Sequence, residues 1–241
     1  MTALDINLPR VLLLDLDDTI LDDTGSVVAC WRSTCEEFAG RAGVEALTLG
    51  EAIDLNRNWY WADPERHRVG RTDIRAASAH IVDLALQSLN VSNPELARVI
   101  ADRFRDQRDE FICLFPGALD TLQALRQLRI PLALLTNGSA AAQRAKVERF
   151  GLASFFDCIL IEGEQGFGKP DERVYQRALE LLGAEPPDAW SVGDNIEWDV
   201  SAPQKLGIRG VWVNRNGVHV DQQFQSVVPD RTIVELADLL R

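Results

Sequence analysis

The sequence predicts an α/β protein whose core is a doubly wound, Rossmann-like parallel sheet, with an all-helical domain inserted into it. Three observations lead to this prediction. Five short apolar runs have the length of buried parallel strands, and helical stretches separate most of them. More than a hundred residues lie between the first run and the second, whereas a crossover between parallel strands needs only about a dozen.

The predicted strands end in residues that could carry chemistry. They are RVLLLD (10–15), PLALLTNG (131–138), CILIEG (158–163), AWSVGD (189–194) and GVWVNR (210–215). Most of them end in polar residues or glycine. In an open α/β sheet the carboxyl ends of the strands form the ligand-binding edge, so we expect the site there.

Three predicted helices with recognisable ends lie after the insertion, each before one of the later strands. The predicted ranges are 118–128 after a Pro-Gly pair, 140–150 before Gly151 and 171–182 before Gly183. Glycine just past the last apolar position is typical of a helix C-terminus.

The inserted segment, residues 22–112, predicts helices alone, over 27–40, 49–62, 73–89 and 94–112. Thr48 with Glu51 has the pattern of a capping box, and Asn93 followed by Pro94 is typical of a helix start. The predicted domains are therefore an α/β core of residues 1–21 and 113–241, and a helical cap of residues 22–112.

Composition limits the classes of function. The chain has 241 residues, 46% of them hydrophobic, and a formal net charge of −12, which favours a folded protein and disfavours polymeric nucleic acid as a partner. The four cysteines form no C-x-x-C pair and are predicted to be reduced thiols. No signal peptide or membrane-spanning run is recognisable, so we predict a cytoplasmic protein without a membrane partner.

The first candidate site follows the first strand, in the segment Asp15-Leu16-Asp17-Asp18-Thr19. Period-two alternation places Asp15 and Asp17 on the same side of the strand. Two such carboxylates can act as nucleophile and general acid, provided that a cation offsets their charge. Alone, the pentapeptide is equally compatible with a polar turn.

Three further residues could bind an anion. Thr136-Asn137-Gly138 ends the second strand with a hydroxyl, an amide and a tight turn, and Lys169-Pro170 precedes a helix. Each has an ordinary alternative, as a turn and as a surface charge. Beside the carboxylates, however, these groups could hold a phosphate.

The last candidate segment is Gly193-Asp194-Asn195-Ile196-Glu197-Trp198-Asp199, again after a strand. Magnesium prefers hard oxygen ligands and takes few of them from protein, and Asp194 is the strongest ligand candidate here. Asp199 is expected to support the metal from behind its ligands. Its ordinary alternative, compatible with that role, is to begin the next helix as its N-cap.

These four segments, DLDDT, TNG, KP and GDNIEWD, resemble in order the four motifs of the haloacid dehalogenase superfamily. The helical insertion resembles the cap of the subfamily that contains phosphoglycolate phosphatase, sialic-acid phosphatase and the haloacid dehalogenases. The resemblance implies hydrolysis of a small phosphorylated metabolite through an aspartyl-phosphate on Asp15, with Asp17 as acid and base. It also implies phosphate binding by Thr136, Asn137 and Lys169.

The same resemblance implies a magnesium ion, Mg²⁺, held by Asp15, by the backbone carbonyl of Asp17 and by Asp194, with Asn195 and Asp199 in support. A phosphomutase remains open. The presence of Asp17 argues against a dehalogenase, which needs no acid at that position. A phosphonate hydrolase is disfavoured because it needs a lysine in the cap, and the sequence has no lysine before residue 146. Residues 163–169, GEQGFGK, match the G-x-x-x-x-G-K of a P-loop ATPase, but Pro170 stands where that motif requires Ser or Thr. A receiver-like phosphoacceptor switch is disfavoured because Asp15 lies on the first strand. An inactive, binding-only relative is disfavoured because no motif residue is lost.

Substrate selection is expected in the cap, where the unusual residues are Trp59, Tyr60, His67, Arg68 and Arg71. Aromatic and arginine side chains can stack on a base or bind a second acidic group. The interpretation we favour is that the aromatics pack the cap core and the arginines face solvent. The natural substrate, and the choice between a monomer and a small homo-oligomer, stay open.

Overall fold

The computed structural model describes residues 8–215, 217 and 224–241. The strands of this part of the chain are β1 (Val11–Leu14), β2 (Leu21–Asp22), β3 (Cys113–Leu114), β4 (Leu132–Thr136), β5 (Cys158–Ile161), β6 (Ala189–Gly193), β7 (Arg209–Val213) and β8 (Arg231–Ile233). Six of them form one sheet in the order β5-β4-β1-β6-β7-β8, with every neighbouring pair parallel.

This order confirms the predicted fold class. Numbered along the chain within the sheet, the strands run 3-2-1-4-5-6, which is the doubly wound order with its reversal beside β1. All four residues of β1 are buried, as expected for a strand with neighbours on both sides. The edge strand β8 was not predicted, because its three residues contain one buried apolar side chain, Ile233.

Contacts divide the chain into two compact units, Met1–Asp22 with Cys113–Arg241, and Asp23–Ile112. The second unit contains five helices among the described residues: α1 (Val27–Ala42), α2 (Ala46–Ala62), α3 (Pro64–Thr72), α4 (Ile74–Ser88) and α5 (Pro94–Phe111). Its observed limits differ from the predicted 22–112 by one residue.

Two features of the helical unit differ from the sequence predictions. Helix α2 begins at Ala46, so Thr48 lies inside it and the predicted capping box with Glu51 is wrong. Helix α3 was not predicted, because its sequence, PERHRVGRT, has no apolar stripe. It begins instead on a local signal, since Asp63 accepts a hydrogen bond from the backbone N–H of Arg66 at 2.8 Å.

The helical unit has a core of its own. Trp31 of α1 stacks on Phe104 of α5 with ring centroids 3.6 Å apart. Buried apolar side chains from α2 and α4 complete this core, among them Leu49, Ile53 and Val82. Such a core accounts for the compactness of the insertion.

The α/β unit places its helices against the sheet. They are α6 (Ala118–Gln127), α7 (Ala140–Arg149), α8 (Glu162–Gln165), α9 (Glu172–Leu182) and α10 (Ala202–Lys205), with a π-helix at Ile196–Ser201. Val174, Tyr175 and Ala178 of α9 pack on Leu13 and Ala133 of the central strands. Among the described residues, no helix has both the length and the apolar character needed to cross a membrane.

Candidate active site

The ends of β1, β4 and β6 bring the predicted site residues of the α/β unit to one edge of the sheet. Asp15 follows β1 directly, and its backbone N–H donates to the carbonyl of Val192 in β6 at 3.0 Å. Thr136 ends β4, and Asp194 follows β6. The parallel register therefore assembles groups that are far apart in the sequence.

Lys169 is the cation at the centre of this edge. Its Nζ lies 2.6 Å from Oδ1 of Asp15 and 2.7 Å from Oδ1 of Asp199, and its side chain is 2% exposed. Burial lowers the pKa of Lys169, but contact with these two carboxylates outweighs it and raises that pKa above the usual range. The lysine is therefore a permanent positive charge, and the interpretation of Lys169 as a solvated surface residue is wrong.

The carboxylates outnumber that charge. Oxygen atoms of Asp15, Asp194 and Asp199 lie within 4.8 Å of one another. Burial, together with the neighbouring carboxylates, raises the pKa of Asp15 to about 7 and that of Asp194 to about 9, although Lys169 opposes both shifts. Oδ2 of Asp15 is buried and accepts no hydrogen bond. Hard oxygen donors with excess negative charge are the set that a divalent cation requires.

Asp17 has a different environment, although it lies two residues after Asp15. Its Oδ1 accepts from Nζ of Lys146 at 2.8 Å, and its Oδ2 accepts from Nε2 of Gln143 at 2.8 Å. Both donors lie on α7. Each carboxylate of the DLD segment thus has a lysine of its own, Lys169 for Asp15 and Lys146 for Asp17.

Thr136 and Asn137 are both predicted to bind phosphate, but their side chains make different hydrogen bonds. The Thr136 hydroxyl accepts a hydrogen bond from Gln143 and keeps its own proton for another acceptor. The Asn137 side chain pairs with the backbone of Lys169: it accepts from the N–H at 2.8 Å and donates to the carbonyl at 2.6 Å. Asn137 therefore holds Lys169 in place.

The segment after β6 differs from its prediction. Asn195, not Asp199, begins the helix, and its Oδ1 accepts from the backbone N–H groups of Glu197 and Trp198 at 3.1 and 3.0 Å. Asp199 lies inside the π-helix and is 2% exposed. Besides Lys169, it accepts from the N–H of Asn195 at 3.0 Å. The N-cap prediction for Asp199 is wrong, because this turn directs its carboxylate inward.

Gly193 makes that inward position possible. A Cβ on Gly193 would lie 2.8 Å from the Cβ of Asp199 and closer still to its carboxyl group. Any larger residue would displace Asp199 from Lys169.

The cap residues predicted to select the substrate have local partners within the helical unit. Tyr60 is buried with Ala77 and Ile81, whereas Trp59 is half exposed and lies under Arg66, whose guanidinium is 3.8 Å from the ring centroid. The prediction that the aromatic side chains pack the cap core therefore holds for Tyr60 but not for Trp59.

The polar members of that predicted set are also paired locally. Arg68 forms an exposed ion pair with Glu65 at 2.6 Å. Nδ1 of His67 lies 3.4 Å from Arg71, and its ring packs edge-on against Trp61. The role of this segment in substrate selection stays a prediction.

Gln143 and Lys146 were not predicted as site residues. They lie three apart, on one face of the helix that begins just after the Thr136-Asn137-Gly138 turn. That spacing was the available signal, but polar residues on a short polar helix are usually solvated.

A family model and two known phosphatases are similar to this chain over most of its length. A model of the haloacid dehalogenase-like hydrolases matches residues 9–207. The chain is 34% identical over 230 residues to phosphoserine phosphatase of Thermus thermophilus, which covers 86% of this chain and 89% of that protein. It is 26% identical over 215 residues to N-acylneuraminate-9-phosphatase of Homo sapiens, covering 87% and 84%.

Solved structures show the same fold. The HAD-hydrolase YfnB from Bacillus subtilis, in a magnesium-bound form, superposes with a TM-score of 0.74 at 22% identity, covering 96% of this chain and 97% of that one. The L-2-haloacid dehalogenase RSc1362 superposes with a TM-score of 0.70 at 23% identity, covering 97% of each chain.

Proposed function

The chain belongs to the haloacid dehalogenase-like hydrolases, and we propose that it is a magnesium-dependent phosphatase that cleaves a small phosphate monoester. The observation that carries this proposal is the separate environment of two neighbouring carboxylates. Asp15 is buried against Lys169, whereas Asp17 is held by Lys146 and Gln143. Different surroundings give adjacent carboxylates different roles.

In the first step an oxygen of the Asp15 carboxylate attacks phosphorus, and the bond between phosphorus and the ester oxygen breaks. Asp17 donates its proton to the departing oxygen, which leaves as an alcohol. The product on the enzyme is an aspartyl-phosphate. Lys169 neutralises the nucleophile and the phosphoryl oxygens, and the Thr136 hydroxyl donates to one of those oxygens.

In the second step water attacks the phosphorus of the aspartyl-phosphate. Asp17, now ionised, takes a proton from that water and is ready for the next cycle. The phosphorus–oxygen bond to Asp15 breaks, so that inorganic phosphate leaves and the Asp15 carboxylate is restored. The net reaction consumes one ester and one water and forms one alcohol and one phosphate.

Asp15, Asp194 and the backbone carbonyl of Asp17 would hold the magnesium ion, with Asp199 and Asn195 behind them. The fit rests on the three clustered carboxylates and on Oδ2 of Asp15, which is buried without a hydrogen-bond donor. A bound divalent cation supplies the positive charge that lets a phosphate dianion approach these carboxylates. Asp199 already accepts from Lys169 and Asn195, which suits it to orient the others.

Phosphoryl transfer is favoured over attack on carbon because two α7 side chains are committed to Asp17, which a dehalogenase does not need. The named relatives act on phosphoserine and on an acylneuraminate 9-phosphate. We therefore propose a small metabolite with a phosphorylated alcohol as the substrate class.

The test is phosphate release from a panel of small phosphomonoesters, with magnesium and with a chelator. We expect magnesium-dependent turnover in the wild type and a loss of at least about 1,000-fold in Asp15→Asn, since an amide cannot replace the nucleophile. Asp120→Asn is the matched control, because Asp120 is exposed in the first turn of α6. After acid quench, mass spectrometry should detect one phosphoryl group on the wild type. Turnover in Asp15→Asn, or turnover unaffected by the chelator, would contradict the proposal.

A further inference from the structure

We propose that Gln143 and Lys146 form a clamp on Asp17 that positions the general acid and base, a role that rests on the proposed function. The two residues lie on one face of α7, and their side chains end on the two oxygens of one carboxylate. We call Gln143, Lys146 and Asp17 the α7 clamp. They are positioning residues for the reaction, because they act through Asp17 rather than on the substrate.

The clamp is built from side chains with little exposure. Gln143 is 2% exposed, and the side chains of Lys146 and Asp17 are 14% and 26% exposed. A weakly hydrated ion pair of this kind is held more firmly than a surface pair, which loses its attraction to solvent screening. The clamp therefore restricts the Asp17 carboxylate to one orientation.

Gln143 also links the acid to the phosphate-binding side of the site. Its Nε2 donates both to Asp17 and to the Thr136 hydroxyl. One buried amide thus sets the spacing between the group that donates a proton and the group that binds a phosphoryl oxygen. A carboxyl group has about four hydrogen-bonding positions, so each Asp17 oxygen keeps one that the clamp does not use. Such a position can carry the proton that passes to the leaving group and can later accept the proton of water.

Helix α7 is well suited to carry the clamp. Its N-cap, Ser139, accepts from the N–H of Ala142 at 3.3 Å, and the preceding Gly138 donates its N–H to the buried Glu162 at 3.0 Å. These contacts fix the first turn of α7 and hold the turn between β4 and α7 against Glu162, which follows β5. The donors on α7 are therefore fixed relative to Thr136.

The proposal predicts a dependence on the leaving group. A poor leaving group, such as an alkoxide, needs the Asp17 proton, whereas p-nitrophenolate leaves without it. Weakening the clamp should therefore lower kcat/KM for alkyl phosphates and leave kcat/KM for p-nitrophenyl phosphate nearly unchanged. General damage to the fold would lower both.

The experiment measures kcat/KM for the best alkyl phosphate of the panel and for p-nitrophenyl phosphate. The variants are Lys146→Met, Lys146→Arg, Gln143→Leu and Asp17→Asn. Lys205→Met is the matched control, because Lys205 is exposed and is the remaining lysine of the chain. Circular dichroism and Tm are recorded for each variant, so that a misfolded protein is recognised and the comparison then rests on Lys146→Arg and Gln143→Leu.

We expect Lys146→Met to lose about 10-fold or more on the alkyl ester and less than about 3-fold on p-nitrophenyl phosphate. Gln143→Leu also loses the bond to the phosphate-binding Thr136, so it should lose activity on both esters, and more on the alkyl ester. Lys146→Arg should recover most of the loss, and Lys205→Met should match the wild type. Equal losses on both esters would overturn the clamp. So would clamp variants that lose no activity while Asp17→Asn discriminates strongly between the two esters. An Asp17→Asn protein without discrimination would instead remove the acid role itself, and with it the basis of the clamp.

Discussion

The position of Gly193 leads to a sharp prediction about the stability of the site. In Gly193→Ala the new Cβ would lie 2.8 Å from the Cβ of Asp199 and closer to its carboxyl group, whereas ordinary contact begins at 3.4 Å. Asp199 must therefore retreat by roughly 1 Å. Its bonds to Lys169, at 2.7 Å, and to the N–H of Asn195, at 3.0 Å, cannot both survive that movement.

The expected cost combines two effects. Overpacking a rigid interior costs about 1–3 kcal/mol, and weakening a buried, hydrogen-bonded ion pair adds to it because Lys169 is left less well compensated. We expect the α/β unit to lose about 3 kcal/mol of unfolding free energy, which lowers its urea midpoint by about 1 M. Because Lys169 also holds Asp15, kcat/KM should fall by about 100-fold or more.

The assay is urea unfolding followed by tryptophan fluorescence, with phosphatase kinetics on the same preparations. Gly40→Ala is the matched control, because Gly40 lies within α1, is exposed, and its added Cβ would meet no atom within 4 Å. That substitution should stabilise the helical unit by about 0.5–1 kcal/mol, since alanine loses less backbone entropy than glycine in a helix. A Gly193→Ala protein with the midpoint and kcat/KM of the wild type would refute the reasoning.

Two further predictions concern charge. Magnesium should raise Tm, and by more near pH 9 than near pH 6, because burial and neighbouring carboxylates raise the pKa of Asp15 to about 7 and that of Asp194 to about 9. When the pKa of an acid is higher in the folded than in the unfolded state, the free energy of unfolding falls as the pH rises through the folded-state pKa. A cation bound to the ionised acid restores that free energy. Scanning fluorimetry measures both shifts, and a magnesium shift independent of pH would contradict this account. Asp23→Asn should destabilise the helical unit by about 3 kcal/mol, because it removes the negative charge from a largely buried ion pair with Arg108. Urea unfolding checks it against Asp102→Asn, a half-exposed acid whose ion pairs with Arg75 and Arg98 are screened by solvent, so that the midpoint should change little.

Much of the site could be predicted from local sequence because its strands have a clear pattern. Apolar runs ending in Asp15, Thr136 and Asp194 placed all three residues at one edge, since parallel strands align their carboxyl ends. The ends of α6, α7 and α9 were also predictable to within a residue or so, because glycine and proline mark helix termini through backbone conformation alone.

Other elements carried no such local pattern. The short strand β8 and the polar helix α3 lack the periodicity that reveals a buried face. The predicted capping box at Thr48 failed because three more residues at the start of α2 also adopt helical conformation. Local propensity is weak there, and packing against neighbouring helices decides where the helix begins.

By itself, the sequence predicted the fold class, the strand ends and the three residues that we propose as the nucleophile, the acid and the phosphate-binding lysine. Only the tertiary structure decided which partner each of them has. Gln143 reaches Asp17 across 126 residues of sequence, and Lys169 reaches Asp15 across 154. Short-range hydrogen bonds and the alternation of buried and exposed residues can be recognised in the sequence because they involve near neighbours. The pairing of two buried charges depends on distances that arise only when the sheet has assembled.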